Sequence, residues 1–400
     1  MNNETRKETQ VLPKDVRYVG ADDLTLPLFE NQYPVQPMGV SYNSYLILDE
    51  KVAVMDSVDA RAADEWLAKL AHELDGRRPD YLVISHMESD HSGSILRLAE
   101  RYPEMQLVGN AKTFTMLRQF FGAKAPTDDR LLEVGEGETL PLGAHTLHFM
   151  LAPMVHWPEV MVAYEETEKL LFSADAFGRF GSLGRTANAP WAPQARRYYY
   201  NIVGKYGAQV QALLKKTSAL EIKTICPLHG PVLTGGALAE TLRLYGLWSR
   251  WQSESPDDIL LAHASIHGNT ARAAELLKQK LEAKGARVTL CDLTTTEVSY
   301  AVANAFYCGK LVLACSTYDG GLFPPMEEFL SHLQAKGFRS RTVGLIENGS
   351  WAPAAARLMR AKLEEMKDLR VCGTVVSLRS ALSPASEAQM DALTTELCAE

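Results

Sequence analysis

Residues 81–91 read YLVISHMESDH, an apolar run followed at once by four side chains that can bind a metal ion. These side chains are His86, Glu88, Asp90 and His91. The apolar part predicts a short buried strand, and the residues after it predict a turn into a helix at 92–98. Alternate residues of an extended segment point the same way, so the first three candidates share a side and the fourth joins them where the helix begins. The pattern predicts a metal site at the end of a strand, and a polar loop in which Asp90 caps a helix is the alternative.

Three later stretches repeat this arrangement, in which a strand-like run delivers one candidate ligand at its end. Residues 149–155 precede His156, residues 170–174 precede Asp175, and residues 222–227 lie just before His229. Singly, a histidine before Trp-Pro is typical of packing, and an aspartate after a strand is typical of a turn. Together with the first cluster, the three residues favour one shared metal site at the rim of a sheet.

The seven candidates comprise four imidazoles and three carboxylates, with no thiolate. Seven side chains are too many for one ion and suit two. Three carboxylates compensate highly charged ions, and mixed nitrogen and oxygen ligands with open positions suit non-haem iron. Zinc hydrolases of related arrangement favour H-x-H-x-D-H sets, in which a zinc-bound hydroxide is the nucleophile. Here Glu88 stands in place of the second histidine, which favours iron.

The pattern of the chain changes near residue 255. Before this point the apolar runs are short and often alternate, whereas after it five short apolar runs alternate with helical patterns. Strands that alternate with helices predict a parallel sheet covered on both faces. Five such units match a flavodoxin-like doubly wound domain, in which ligands bind beyond the carboxyl ends of the strands. The polar segment Trp248–Asp258 is interpreted as the linker.

Three loops after the predicted strands of this half carry candidate cofactor contacts. The candidates are Ser265, Ile266, His267, Gly268, Asn269 and Thr270, then Ser316, Thr317, Tyr318, Asp319 and Gly320, and finally Asn348, Gly349, Ser350 and Trp351. The first loop predicts a phosphate cradle at a helix N-terminus, and a polar turn capped by Asn269 or Thr270 is the alternative. Neither a Walker A loop nor a G-x-G-x-x-G motif is present there. Glycines in the other loops allow a flat ring to approach, and Tyr318 or Trp351 can stack on it.

Composition narrows the class of protein. The 400 residues include 41 Lys plus Arg and 49 Asp plus Glu, which gives a net charge of -8. This balance argues against nucleic-acid and membrane-surface binding, both of which favour basic patches. No apolar run approaches the roughly 18 residues of a spanning helix, and the polar start predicts a cytoplasmic protein without a signal peptide. The six cysteines form no C-x-x-C pair, which excludes an in-chain rubredoxin or zinc ribbon.

The H-x-E-x-D-H cluster, the later His, Asp and His, and the flavodoxin-like half resemble the flavodiiron proteins over nearly the whole chain. The resemblance implies an α/β protein with an N-terminal metallo-β-lactamase-like αββα sandwich that carries two irons, at residues 1–253. It implies a flavodoxin-like doubly wound parallel sheet that binds FMN at residues 254–400. The implied ligands are His86, Glu88 and His156 for one iron, Asp90, His91 and His229 for the other, and Asp175 as the bridge.

By the same resemblance, the expected activity is reduction of dioxygen (O2) to water, of nitric oxide (NO) to nitrous oxide, or of both, with electrons relayed through FMN. The implied electron donor is a small redox protein such as rubredoxin, or a reduced carrier such as F420H2. The implied assembly is a head-to-tail homodimer or a dimer of dimers. A metallo-β-lactamase-type dizinc hydrolase with an accessory flavodoxin-like domain is the alternative. A non-catalytic flavin electron carrier or sensor with an inert metal site is a second alternative.

Overall fold

The computed structural model of the protein describes residues 12–399. The polar start of the chain, on which the expectation of no signal peptide rests, lies outside these residues. The chain forms two compact units. The first comprises the described residues up to Tyr199 together with Tyr206–Gly246, and the second comprises Tyr200–Lys205 and the described residues from Leu247 onward.

The first unit contains short strands, as its short apolar runs predict. Its strands are β1 (Val16–Tyr18), β2 (Ala21–Asp23), β3 (Leu28–Phe29), β4 (Tyr33–Pro34), β5 (Val40–Tyr42), β6 (Tyr45–Leu48), β7 (Val52–Met55), β8 (Tyr81–Val83), β9 (Gln106–Gly109), β10 (Leu131–Glu133), β11 (Thr139–Pro141), β12 (Thr146–Leu151), β13 (Met161–Glu165), β14 (Leu170–Phe172), β15 (Thr224–Cys226) and β16 (Leu233–Thr234). Most of them form two six-stranded sheets, with the orders β1-β6-β7-β8-β9-β10 and β11-β12-β13-β14-β15-β16.

The two sheets enclose one apolar core. Alternate residues of β6, β7, β12 and β13 are buried in it, for example Tyr45 and Ile47 from one sheet and Leu147 and Phe149 from the other. This period of two is the signature of strands whose inner faces pack together. The α-helices of the unit are α1 (Ala63–Leu74), α2 (Ser89–Ser92), α3 (Ile95–Arg101), α4 (Ala111–Phe121), α5 (Leu183–Thr186), α6 (Trp191–Tyr198), α7 (Gly207–Thr217) and α8 (Gly235–Trp248), whose last two residues belong to the second unit.

The second unit is a parallel sheet with helices between its strands. Its elements are β17 (Ser255–Ala264), α9 (Asn269–Glu282), β18 (Val288–Asp292), α10 (Val298–Tyr307), β19 (Cys308–Tyr318), β20 (Gly321–Leu322), α11 (Pro324–Ala335), β21 (Thr342–Asn348), α12 (Ala355–Glu364), β22 (Arg370–Leu378) and α13 (Pro384–Cys398). The order β18-β17-β19-β21-β22, parallel throughout, is that of a flavodoxin-like fold. The order reverses between β17 and β19, and this switch point is where such sheets bind ligands.

Two local expectations differ from the structure. The segment Trp248–Asp258, interpreted as a linker, is partly strand, because β17 already begins at Ser255, which pairs with Cys308 before a register shift. The helix expected at 92–98 is two short helices, α2 and α3, separated at Gly93 and Ser94. Among the described residues, no helix is both long enough and apolar enough to cross a membrane.

Candidate functional site

The seven candidate ligands of the first unit lie together, at the ends of four strands. His86 to His91 follow β8, His156 lies between β12 and β13, and Asp175 and His229 follow β14 and β15. The side chains form two sets, and within each set the ligand atoms all lie within 4.8 Å of one another. The first ligand group is His86, Glu88, His156 and Asp175, and the second ligand group is Asp90, His91 and His229.

Asp175 faces both ligand groups. Its Oδ2 lies 3.0 Å from His156 Nε2 and 3.4 Å from His86 Nε2, whereas its Oδ1 lies 3.3 Å from His91 Nε2. One carboxylate oxygen is thus directed at each group. This is the geometry in which a carboxylate can bridge two cations.

The remaining carboxylates each serve one group. Glu88 Oε2 lies 3.3 Å from His86 Nε2 and 3.1 Å from His156 Nε2. Asp90 Oδ2 lies 3.3 Å from His91 Nε2 and 3.2 Å from His229 Nε2. Asp90 is the second residue of α2 and not its cap, so the structure does not support the capping alternative.

The two histidines of the second ligand group show why this arrangement fits a cation. His229 Nδ1 donates to the carbonyl oxygen of Ser41 at 2.7 Å, which leaves a lone pair on Nε2 of the neutral ring. That Nε2 lies 3.1 Å from His91 Nε2. Asp90 Oδ1 is buried with no hydrogen-bond partner among the described residues. Lone pairs and a buried anion that converge on one point are stabilised by a cation placed there.

Neighbouring charges shift the pKa values of the side chains in both ligand groups. Burial opposes a charge on His91, but the neighbouring Asp90 and Asp175 outweigh burial and raise the pKa of His91 to about 10. Burial likewise opposes a charge on His156, whereas hydrogen bonds with Asp175 and Glu88 raise its pKa to about 9. Burial alone would raise the pKa of Asp175, yet its imidazole neighbours hold that pKa well below the usual value. The cluster therefore needs positive charge, as protons or as metal ions.

Three further residues around the ligands were not found from the sequence. Glu159 Oε1 accepts from His86 Nδ1 and from the Met87 amide, each at 2.8 Å. Asp56 Oδ1 accepts from the amide of Ser85 at 2.7 Å, and burial raises the pKa of Asp56 to about 6. No period or motif distinguishes these carboxylates from the other Asp and Glu residues of the chain.

Tyr198, the third of these residues, is buried beside the second ligand group. Its ring centroid lies 5.6 Å from that of His229, and its hydroxyl has no hydrogen-bond partner among the described residues. Burial, followed by the charges of Asp175, Asp90 and Glu88, raises the pKa of Tyr198 well above 10. The hydroxyl is therefore protonated at neutral pH and able to donate. Tyr199 and Tyr200 follow it directly, and such an aromatic run is typical of core packing.

A cleft of about 520 Å³ lies at the carboxyl ends of β17, β19 and β21. Fourteen of the fifteen cofactor candidates line it, and Ala352 and Ser380 line it as well. The remaining candidate, Gly268, adopts φ +88 directly before α9, a conformation that favours glycine. The first amides of α9 begin at this loop, which is the geometry of a phosphate site.

Side-chain hydrogen bonds fix the floor of this cleft. Asn348 Nδ2 donates to Thr270 Oγ1 at 3.3 Å and to the carbonyl oxygen of Ser380 at 3.0 Å, and its Oδ1 accepts from the Ser380 amide at 2.9 Å. Thr270 Oγ1 and Ser316 Oγ lie 2.8 Å apart. At the rim, Trp351 is 87% exposed. The cleft thus has a rigid polar floor and an aromatic edge open to solvent.

Fold and site together define a β-lactamase-like unit with two groups of potential metal ligands, and a flavodoxin-like unit with a cleft at the carboxyl ends of its strands. Residues 40–230 match the family described as ODP family beta lactamase. The chain is 27% identical over 361 residues to the nitric oxide reductase of Moorella thermoacetica, covering 88% of each chain. It is also 27% identical over 361 residues to the rubredoxin-oxygen oxidoreductase of Megalodesulfovibrio gigas, covering 87% of each.

The same resemblance holds for solved structures. The flavodiiron protein of Giardia intestinalis matches with a TM-score of 0.87 and 24% identity, over 98% of each chain. These comparisons confirm the resemblance to flavodiiron proteins. They also confirm the predicted fold class, a metallo-β-lactamase-like sandwich followed by a flavodoxin-like sheet.

Proposed function

We propose that the protein is a flavodiiron oxidoreductase that reduces O2 to water, NO to nitrous oxide, or both. The observation that carries the proposal is Asp175, whose two oxygens face the two ligand groups. Relatives named nitric oxide reductase and rubredoxin-oxygen oxidoreductase support the reaction class. They do not favour the dizinc hydrolase. The metal domain would span residues 1–253, and the flavin domain would span residues 254–400.

Two non-haem irons are the cations that we propose for the first unit. The proposed ligands are His86, Glu88 and His156 for one iron, Asp90, His91 and His229 for the other, and Asp175 as the bridge. The three carboxylates offset the charge of two ferrous or ferric ions, and the imidazoles supply neutral nitrogen ligands. Because hydrogen bonds from Nδ1 hold His86 and His229, their Nε2 lone pairs stay directed at the site.

FMN is the proposed cofactor of the second unit. The loop Ser265–Thr270 would hold its phosphate at the start of α9, and the loops after β19 and β21 would hold its ring. Thr270, Ser316 and Asn348 keep the floor of the cleft in place. Trp351 or Tyr318 at the rim would cover one face of the ring. When bound, FMN and two irons together supply electrons and open coordination positions at which a diatomic gas is reduced.

The residues of the chain then have separate tasks. The carboxylates and imidazoles of the two ligand groups, largely withdrawn from solvent, keep the site polar and fixed. The Tyr198 hydroxyl, protonated at neutral pH, is available to donate a hydrogen bond near the second ligand group. We further propose a rubredoxin-type protein or a reduced carrier such as F420H2 as the electron donor, and a head-to-tail homodimer or dimer of dimers as the assembly.

Paired gas-consumption assays test this proposal. The full chain, loaded with iron and FMN, is supplied with a chemically reduced rubredoxin and exposed separately to O2 and to NO. We expect consumption of at least one gas, dependent on both iron and FMN. Two results together would overturn the proposal in favour of a hydrolase. The iron-loaded chain would consume neither gas, and the zinc-loaded chain without flavin would hydrolyse an ester or amide.

A further inference from the structure

We infer that Glu159 is a positioning residue that acts through His86 and makes the two ligand groups unequal. Its carboxylate strengthens cation binding at the first ligand group and leaves the second ligand group without an equivalent. The inference rests on the proposed function in that both groups are taken to bind cations. It concerns which cation is held more tightly and why.

The geometry of Glu159 is fixed on three sides. Its Oε1 accepts from His86 Nδ1 and from the Met87 amide, each at 2.8 Å, and its side chain is fully buried. Asn110 Nδ2 donates to the backbone oxygen of Glu159 at 2.6 Å, which ties the start of α4 to this position. These contacts direct the carboxylate toward the back of the His86 ring.

This contact determines what His86 presents to the site. A carboxylate oxygen only accepts, so Nδ1 of His86 keeps its proton and Nε2 is the ring nitrogen that can offer a lone pair to a cation. That Nε2 lies 3.3 Å from Glu88 Oε2 and 3.4 Å from Asp175 Oδ2, inside the first ligand group. A buried negative charge behind the ring raises the basicity of Nε2 and hence its affinity for a cation.

In the described part of the chain, neither histidine of the second ligand group has a carboxylate hydrogen-bonded to its Nδ1. His229 Nδ1 donates to the neutral carbonyl oxygen of Ser41 at 2.7 Å. His91 Nδ1 is buried and has no hydrogen-bond partner in the described part of the chain. A neutral acceptor orients a ring but adds less basicity than a carboxylate does. The first ligand group should therefore hold its cation more tightly.

The chain supplies a matched control. His145 Nδ1 and Glu165 Oε1 form a second buried histidine–glutamate pair at 3.0 Å, in the same unit and outside both ligand groups. Glu165 also accepts from the amides of Thr167 and Glu168. Replacement of Glu165 by Gln thus removes a buried carboxylate charge that is paired with a histidine. That histidine, His145, is not a candidate metal ligand.

The experiment measures cobalt affinity in full-length protein with its flavin bound. Protein stripped of metal is titrated with Co²⁺ against a competing chelator, and the absorption of bound Co²⁺ reports each of the two dissociation constants. In E159Q the hydrogen bond from His86 can persist while the charge is lost. We expect the smaller of the two dissociation constants, that of the more tightly held ion, to rise about tenfold with a changed cobalt spectrum, and the larger one to stay within about twofold. In E165Q neither should change.

A second variant distinguishes the loss of the Glu159 charge from a failure of the protein to fold. E159D keeps the charge on a shorter side chain, so we expect it to bind the affected ion more tightly than E159Q does. Where E159Q does not accumulate as folded protein, E159D replaces it and should weaken one ion only. Equal weakening of both ions, weakening of the more loosely held ion alone, or the same effect in E159Q and E165Q would overturn the inference. Wild-type protein that binds fewer than two cobalt ions would instead count against the proposed function.

Discussion

The two ligand groups of the first unit and the cleft of the second unit are built from different chemical groups. The ligand groups consist of ionisable side chains, six of them buried and Glu88 partly buried, whose atoms converge from four strand ends. The cleft consists of loop backbone and small polar side chains, with Trp351 exposed at its rim. A site made of converging charges depends on each residue, whereas a site made of loop backbone spreads its contacts over many residues. Substitutions should therefore be costly in the first region and graded in the second.

The largest effect is expected at Asp175. D175A removes the one carboxylate that faces both ligand groups, so iron content and gas reduction should both fall, activity by at least about a hundredfold. Iron analysis and O2 and NO assays check this. The matched control is E166Q, which alters an exposed carboxylate paired with His148 and should change neither quantity. Retention of two irons per chain in D175A would contradict the bridging role.

A smaller effect is expected at the floor of the cleft. N348A removes the side chain that binds Thr270 and Ser380, and the buried groups that it leaves cost about 1–3 kcal/mol. We expect FMN affinity to fall about tenfold with iron content unchanged. Fluorescence titration of the apoprotein with FMN measures this. An unchanged affinity would mean that the ligand lies elsewhere.

A further prediction concerns the hydroxyl of Tyr198, whose ring lies beside the second ligand group. Its hydroxyl has no recorded partner among the described residues, so Y198F should leave stability within about 0.5 kcal/mol and iron content unchanged. Loss of a donor near the site should slow gas reduction about fivefold. The control Y164F removes a hydrogen bond to the Glu221 carbonyl, so it should lower stability without slowing the reaction. Steady-state rates and thermal unfolding distinguish the two patterns.

The smallest effect is expected at Trp351. Because its side chain is 87% exposed, W351A should change the free energy of unfolding by less than about 0.5 kcal/mol. Loss of an aromatic face should weaken FMN binding about threefold. Y318A, at the same rim, is the companion variant. If only Y318A weakens binding, then Tyr318 and not Trp351 covers the flavin ring.

The sequence predicted the candidate ligands because each follows a buried strand and is of a distinctive chemical type. Five of the six described strands of the second unit were predicted, because β-strand and helix patterns alternate there; the two-residue β20 was not. Glu159 and Asp56 could not be predicted, since their role depends on which ring or amide a folded neighbour presents. The start of β17 at Ser255 was also missed, because its pairing with Cys308 lies far away in sequence and its local composition is polar.

Metal and flavin analysis of the protein as purified tests the central claim most directly. The account predicts about two irons and one FMN per chain, because the ligand set suits two cations and the second unit offers one nucleotide-sized cleft. Elemental analysis and an absorption spectrum measure both in one sample. Zinc in place of iron, with no flavin even after iron-replete growth and added FMN, would contradict the account.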